Sequence, residues 1–280
     1  MTTEAGGLSL RSELPSRVAL HEELRSRVGD GGVAVFLDYD GVLTPIVEHP
    51  DLAVLAPDMR RALTALADAA PVAIVSGRDV SDVMDKVDVR GLFYAGSHGL
   101  DIRSPSGEPV ADEELGRLEA YLAALDAAEG ELRSQLDDAP GANVERKRFA
   151  IAVHYRQVPE RHHHAVASAV ERVAPLHPSL RVAGGKMIFE LRPDVDWDKG
   201  QALLWLLAEL GLAGPDVLPI YVGDDVTDED AFRVLRDRGV GIVVGREDRP
   251  TAARYALDDP DEVCVLLDEL RTTLGERGGA

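Results

Sequence analysis

The chain has 280 residues, 45% of them hydrophobic and 29% charged, a profile that suits a soluble globular protein of one large domain or two modest ones. Fifty acidic against 30 basic side chains give a formal net charge of -20, which disfavours nucleic acid and anionic membranes as partners and leaves any anionic ligand to a local cation. The single cysteine, Cys264, excludes an intrachain disulfide and a thiolate metal cage. With no apolar run near the roughly 18 residues of a membrane span, and no secretory h-region, a cytoplasmic location is expected.

In chain order, "PSRVALHEELRSRV" reads as a helix added before the main pattern. "VAVFLD" and "PVAIVSG" are short β-branched runs. Between them "PDMRRALTALADAA" opens on a proline suited to a first helical turn and repeats apolar residues at helical spacing. Such a strand–helix–strand unit predicts a parallel sheet with right-handed crossovers, and "LFYAGSHG" reads as its next strand.

The pattern changes over residues 104–186. An alanine-rich helical stretch (112–137) and a second helix (159–175) are each followed by period-two alternation, in "NVERKRFAIAVHYR" and "LRVAGGKMIFELR". Alternation predicts an antiparallel sheet with one covered face. It puts Met187, Phe189 and Leu191 on one side and Lys186, Ile188, Glu190 and Arg192 on the other, while Glu145 and Lys147 share a face. The first rhythm then returns: "DKGQALLWLLAELGL" as a helix ending near Gly211, "VLPIYVGDD" as a strand, "TDEDAFRVLRDRG" as a helix, and "VGIVVG" as a strand. The tail "GERGGA" is expected to fray. The predicted fold class is α/β: a doubly wound parallel, Rossmann-like core (residues 1–103 and 187–280) with an inserted α+β domain (104–186).

Ligands of open α/β sheets bind at the carboxyl ends of strands. Asp38 and Asp40 follow the first strand, Ser76 and Arg78 of "SGR" the second, and Asp224, Asp225 and Asp228 of "GDDVTDED" a late one, with Lys199 opening the helix before it. Acids gathered there repel one another unless a hard divalent cation such as Mg2+ joins them. A serine hydroxyl and a lysine ammonium suit phosphoryl oxygens. The combination describes phosphoryl transfer, with Asp38 as nucleophile and Asp40 as acid and then base.

Plainer readings stand beside these. Asp-Gly favours turns, Ser76 or Arg78 fits a helix cap, and Lys199 fits a solvated helix position. Asp and Glu at a helix start account for Glu229 and Asp230 better than for Asp224. His162, His163 and His164 point in different directions on a helix and make a poor metal site, and Glu145, Lys147, Lys186 and Glu190 fit a cross-strand charge ladder.

"DYDGVLTP" fits the D-x-D-x-[TV]-[LV] motif of the haloacid dehalogenase-like (HAD) superfamily, and "VAIVSGR", "WDKGQAL" and "IYVGDDVTDED" resemble its second, third and fourth motifs in order. "GSHGLDI", "HYR" and the run from "GDD" to "TDEDAF" resemble more narrowly the trehalose-6-phosphate phosphatase family, the likeness running from about residue 33 to 244. Val42 stands where many members have threonine, a variation the motif permits.

The resemblance implies Asp38 as nucleophile and Mg2+ ligand, and Asp40 as acid/base offering its backbone carbonyl to the metal. It implies Ser76 and Lys199 as phosphoryl holders, and Asp224 as third ligand with Asp225 or Asp228 behind it. The insert becomes a cap, with sugar contacts at Glu145, Lys147, Lys186, Glu190 and Arg192. Arg78 and His98 join the substrate side, His98 as a group that orients a loop. The implied partner is a small sugar phosphate, and the oligomeric state stays open. The implied reaction is Mg2+-dependent hydrolysis of trehalose 6-phosphate through an aspartyl-phosphate. Sucrose phosphate, a validoxylamine-type phosphate, a phosphomutase and a non-catalytic sugar-phosphate sensor remain alternatives, the last disfavoured because every expected acid is present.

Overall fold

The computed structural model describes residues 8–15, 17–28, 32–110, 119–185 and 187–278. The chain divides into two compact units, residues 1–110 with 197–280, and residues 111–196. No described helix is long and apolar enough to cross a membrane.

The first unit opens with β1 (Ser9–Leu10) and α1 (Arg17–Arg27), then runs β2 (Val33–Leu37), α2 (Pro57–Ala67), β3 (Val72–Val75), α3 (Val80–Val87), β4 (Phe93–Gly96) and β5 (Asp101–Arg103). The insert holds α4 (Glu119–Leu136), β6 (Asn143–Lys147), β7 (Ala150–His154), α5 (His163–Val173), β8 (Leu180–Gly185) and β9 (Ile188–Pro193). The first unit resumes with α6 (Lys199–Glu209), β10 (Leu218–Gly223), α7 (Glu229–Leu235), β11 (Val240–Val244), β12 (Pro250–Thr251), β13 (Tyr255–Leu257) and α8 (Pro260–Gly278).

Seven strands form the main sheet in the order β13-β11-β10-β2-β3-β4-β5, parallel throughout except for the edge pairing of β5 with β4. Both faces are covered, so β2, "VAVFL", is buried at all five positions and carries no polar alternation. The helices over it are amphipathic: α2 takes Pro57 at its first turn and buries Met59, Ala62, Leu63 and Leu66. The chain leaves β2 toward β3 on one side and returns as β10 on the other. The carboxyl ends of β2 and β10 are therefore the switch point of strand order, where such sheets open a crevice.

The insert is a four-stranded antiparallel sheet, β6-β7-β9-β8. One face carries Val144, Ile151, Val153, Leu180 and Leu191 against the apolar sides of α4 and α5. Cross-strand register puts Glu145, Ala152, Glu190 and Ala183 in one row of the opposite face.

Several boundaries differ from those expected. β9 pairs with β7 and β8, so residues 188–193 belong to the insert and not to a core segment starting at 187. Residues 104–110 turn back onto β5, with Val110 N–H donating to the Ile102 carbonyl at 3.0 Å, and stay with the core. Met187 has φ +65° in the turn before β9 and so leaves the face of Phe189 and Leu191. The tail "GERGGA" is helical through Gly278, carried on from an α8 whose Val263, Leu266, Leu267 and Leu270 are buried. The helix expected from 112 is described from Glu119, and the one expected over 159–175 is α5 between two 3-10 turns.

Candidate active site

Asp38 follows β2 and its N–H donates to the Val222 carbonyl of β10 at 2.9 Å, which fixes it at the switch point. The chain must then turn at once, and Gly41 does so with φ +76°. A Cβ at Gly41 would lie 2.0 Å from Asp224 Oδ2, so glycine is also what lets the loop after β2 close against the loop after β10. On the β10 side the backbone of Gly223 passes Asp228 equally tightly, a Cβ there falling 2.3 Å from Asp228 Cγ.

Lys199 is the first residue of α6, a helix started by Asp198, whose side chain accepts from Gln201 N–H at 2.9 Å. Its side chain is 2% exposed, and Nζ donates to Asp38 Oδ2 at 2.5 Å and to Asp228 Oδ1 at 2.8 Å. Asp228 is fully buried and accepts four hydrogen bonds. Lys199 and the Tyr221 hydroxyl (2.6 Å) bind one oxygen, and the N–H groups of Asp224 (3.0 Å) and Asp225 (2.9 Å) the other.

One ammonium among three carboxylates leaves excess negative charge. Burial pushes the Asp38 carboxyl up to about 7, Lys199 pulling it down and Asp228 pushing it up. Burial, then the charges of Asp38 and Asp228, raises Asp224 to about 8. Burial works against the charged Asp228 too, but the Lys199 charge and hydrogen bond outweigh it and hold that carboxyl below its ordinary value. Burial likewise opposes the Lys199 ammonium, and its two carboxylate partners outweigh it, so the lysine stays charged.

Oxygens of Asp38, Asp224 and Asp228 lie within 4.8 Å of one another. Two carboxyls whose surroundings disfavour their charged forms are the deficit that a divalent cation removes, and an all-oxygen donor set suits Mg2+. Each Asp228 oxygen already accepts two hydrogen bonds, whereas each Asp38 oxygen accepts one, from Tyr39 N–H at 2.6 Å and from Lys199, so Asp38 and Asp224 keep lone pairs for a cation.

Ser76 is buried behind β3, its N–H on the Ala95 carbonyl at 2.8 Å and its Oγ accepting from Arg78 N–H at 3.2 Å. It does not cap a helix, because α3 starts four residues later behind Asp79. Asp40 is turned onto Arg78, whose Nε and Nη2 bind its two oxygens at 2.7 and 2.8 Å. Arg78 also binds Asp82 at 2.7 Å and lies over the Tyr39 ring at 5.3 Å. Expected as a substrate ligand, Arg78 is thus a neighbour of Asp40, and the Asp40 carboxylate is not among the clustered acids. Asp225 is exposed and caps the following turn through Val226 N–H at 2.7 Å, so its carboxylate too lies outside the cluster. His98 sits in the loop after β4 with φ +59°, its N–H on the Ser76 carbonyl at 2.9 Å.

Within the insert, Lys147 Nζ donates to Glu190 Oε1 at 3.2 Å across β7, where Ala150 and Ala152 leave room. Glu145 pairs with His154 at 2.7 Å, and Arg192 stands opposite Arg181 on the same face. Lys186 lies outside the described residues. Sequence reasoning missed Tyr221, His154 and Asp82. Asp82 stands one helical turn after Arg78, while His154 and Tyr221 lie inside the strings "HYR" and "IYVGDD" without a spacing that points to their partners.

A parallel sheet with a lysine-paired aspartate after its central strand, and an acidic loop after the next, is the arrangement of a haloacid dehalogenase-like fold. The fold matches the crystal structure of a haloacid dehalogenase-like hydrolase from Bacteroides thetaiotaomicron with TM-score 0.59 at 17% identity, over 85% of this chain and 99% of that one. More narrowly, the chain belongs to the trehalose-phosphatase family, whose sequence model matches residues 36–261. It is 47% identical over 247 residues to a trehalose-phosphate phosphatase of Mycobacterium tuberculosis (strain H37Rv), covering 87% of this chain and 62% of that protein's length. A solved trehalose-6-phosphate phosphatase related protein matches with TM-score 0.74 and 26% identity, over 88% of this chain and 99% of that one.

Proposed function

We propose that the chain is a Mg2+-dependent phosphatase that hydrolyses trehalose 6-phosphate to trehalose and orthophosphate through an aspartyl-phosphate on Asp38. The observation that carries this reading is the buried Lys199–Asp38 contact of 2.5 Å, at the strand end that Asp224 also faces. Family membership supplies the substrate class. Uncatalysed phosphate-monoester hydrolysis is slow enough to demand up to ~10²¹-fold acceleration, so several groups must act together.

Asp38 and Asp224 would hold one Mg2+, which when bound draws negative charge off the phosphoryl oxygens. Asp38 forms a bond to phosphorus as the bond from phosphorus to the sugar oxygen breaks, and the leaving oxygen takes a proton from Asp40. A water then attacks phosphorus and gives its proton to Asp40, the bond to Asp38 breaks, and orthophosphate leaves. Asp40 can serve in this way only after its two-point grip by Arg78 opens. The Lys199 ammonium and the Ser76 hydroxyl are offered to phosphoryl oxygens. Asp228 holds Lys199 and the Asp224 backbone in place. On the insert, Glu145, Lys147, Lys186, Glu190 and Arg192 supply donors and acceptors for sugar hydroxyls.

The test is phosphate release with Mg2+ from trehalose 6-phosphate, sucrose 6-phosphate, glucose 6-phosphate and a validoxylamine-type phosphate. The expected result is a strong preference for trehalose 6-phosphate in kcat/KM, lost at least ~10³-fold in Asp38→Asn. Preference for another member keeps the chemistry and overturns the sugar. Release from none, with Mg2+ bound, overturns the trehalose 6-phosphate reading and leaves a substrate outside the panel or a sensor.

A further inference from the structure

Residues 8–15 have a place in the fold that the proposed chemistry leaves unused. β1 pairs antiparallel with β12, Ser9 opposite Thr251 and Leu10 opposite Pro250. Beside this pair, Arg11 N–H donates to the Arg249 carbonyl at 3.1 Å, and Ser12 N–H to Asp248 Oδ1 at 2.9 Å. The Arg11 guanidinium ties the arm down through an ion pair with Asp258 and a 3.3 Å hydrogen bond to the Leu257 carbonyl. The arm thus grips residue 249 from both flanks.

The Arg249 side chain reaches the site. Its Nη2 donates to the backbone carbonyl of Asp224 at 3.1 Å, and its Nη1 to Glu229 Oε1 at 2.8 Å. Glu229 is buried and its other oxygen accepts from Ala252 N–H at 2.7 Å, so the carboxylate bridges Arg249 to the residue that follows β12, the strand that the arm pairs with. Residue 224 is therefore held at three points. Its N–H is on Asp228, its carboxylate lies against Gly41, and its carbonyl is on Arg249. Only the third depends on a side chain from outside the loop after β10.

We propose that Arg249 is a positioning residue for Asp224, and that the N-terminal arm sets divalent-cation affinity by fixing Arg249. This rests on Asp224 being a cation ligand, as proposed above. A carboxylate must present its oxygen within a few tenths of an ångström to hold Mg2+ at its demanding geometry, and the backbone carbonyl on Arg249 fixes the hinge from which that side chain hangs. The Arg249 contacts are hydrogen bonds from a charged donor to a buried carboxylate and a backbone oxygen, the sort that holds a loop in one geometry.

The test is calorimetric titration of the metal-free full chain with MgCl2. Wild type is compared with Arg249→Met, which keeps the stem and removes both donors, Arg249→Lys, which keeps the charge, and Arg11→Pro, which removes the backbone donor to residue 249 and the anchoring guanidinium. Arg249→Met is expected to weaken Mg2+ binding about tenfold, the lower end for loss of a supporting contact. Arg249→Lys should recover part of it, and Arg11→Pro should weaken binding in the same direction. The Mg2+ concentration for half-maximal rate should rise in step, with kcat at saturating Mg2+ falling far less.

A lowered Tm with unchanged Mg2+ affinity in all three variants would overturn the inference and leave a purely structural clasp. Should Arg249→Met fail to fold, Arg249→Lys and Arg11→Pro decide the matter, since each leaves part of the clasp in place. Absence of Mg2+ binding by wild type would overturn the metal reading of the site itself, an outcome distinct from a wild type that binds and variants that bind equally well.

Discussion

Asp224 concentrates the conflict between stability and chemistry. In the metal-free fold its carboxyl is pushed from 3.8 up to about 8, first by burial and then by the charges of Asp38 and Asp228. A raised folded value means that the fold binds this proton more tightly than the unfolded chain does. The group's contribution to stability is therefore complete below about pH 4 and is lost as pH rises through 8. Asp224→Asn keeps the shape and cannot ionise. In EDTA at pH 9 its Tm should exceed that of wild type, each kcal/mol appearing as about 2–4 °C, whereas near pH 4 the two should converge. Calorimetry at both pH values decides, and a lower Tm for the variant at pH 9 would refute the account. Added Mg2+ should raise the wild-type Tm and leave the variant nearly unmoved.

At the scale of elements, β6 and β9 pose a question that the contact alone leaves open. The Lys147–Glu190 pair at 3.2 Å is both the cross-strand ladder expected of a polar sheet face and a donor–acceptor pair suited to sugar hydroxyls. Glu190→Gln should raise KM for trehalose 6-phosphate about tenfold with Tm nearly unchanged. A fall in Tm at constant KM would make the pair structural.

The elements legible in the sequence were those with a strong physical signature. β2, β3, β10 and β11 are short apolar runs buried on both faces, and the acids behind two of them stood out because burying carboxylates is costly. β1, β12 and β13 have two or three residues each and carry no periodicity to read. The choice between Asp225 and Asp228 was open because a 3-10 turn decides which side chain folds back beneath the loop. Arg249 lies 25 residues beyond Asp224, and Arg78 lies 38 beyond Asp40, so sequence spacing gave neither pairing. The C-terminal limit of the insert was misplaced because β9, which alternates like its partners, is separated only by residues 194–198 from the core helix that carries Lys199.

Over the whole molecule the formal charge of -20 opposes an anionic substrate, so productive encounter depends on screening of the wider surface as well as on Lys199. From 10 to 150 mM salt the Debye length shrinks from about 30 to 8 Å, and kcat/KM should rise about two- to fivefold. Stopped-flow or initial-rate measurements at fixed Mg2+ check this, and a monotonic fall with salt would show that attraction dominates instead. The chain spans 62% of the length of the mycobacterial relative it matches. Gly41 has an implication for descent within such a family. Its neighbour across the crevice, Asp224 Oδ2, is what excludes every larger residue, and φ +76° reinforces the exclusion. A lineage that abandoned turnover and lost the acid at 224 would be released from much of that constraint, so a side chain at position 41 would be an early scar of a phosphatase turned regulator.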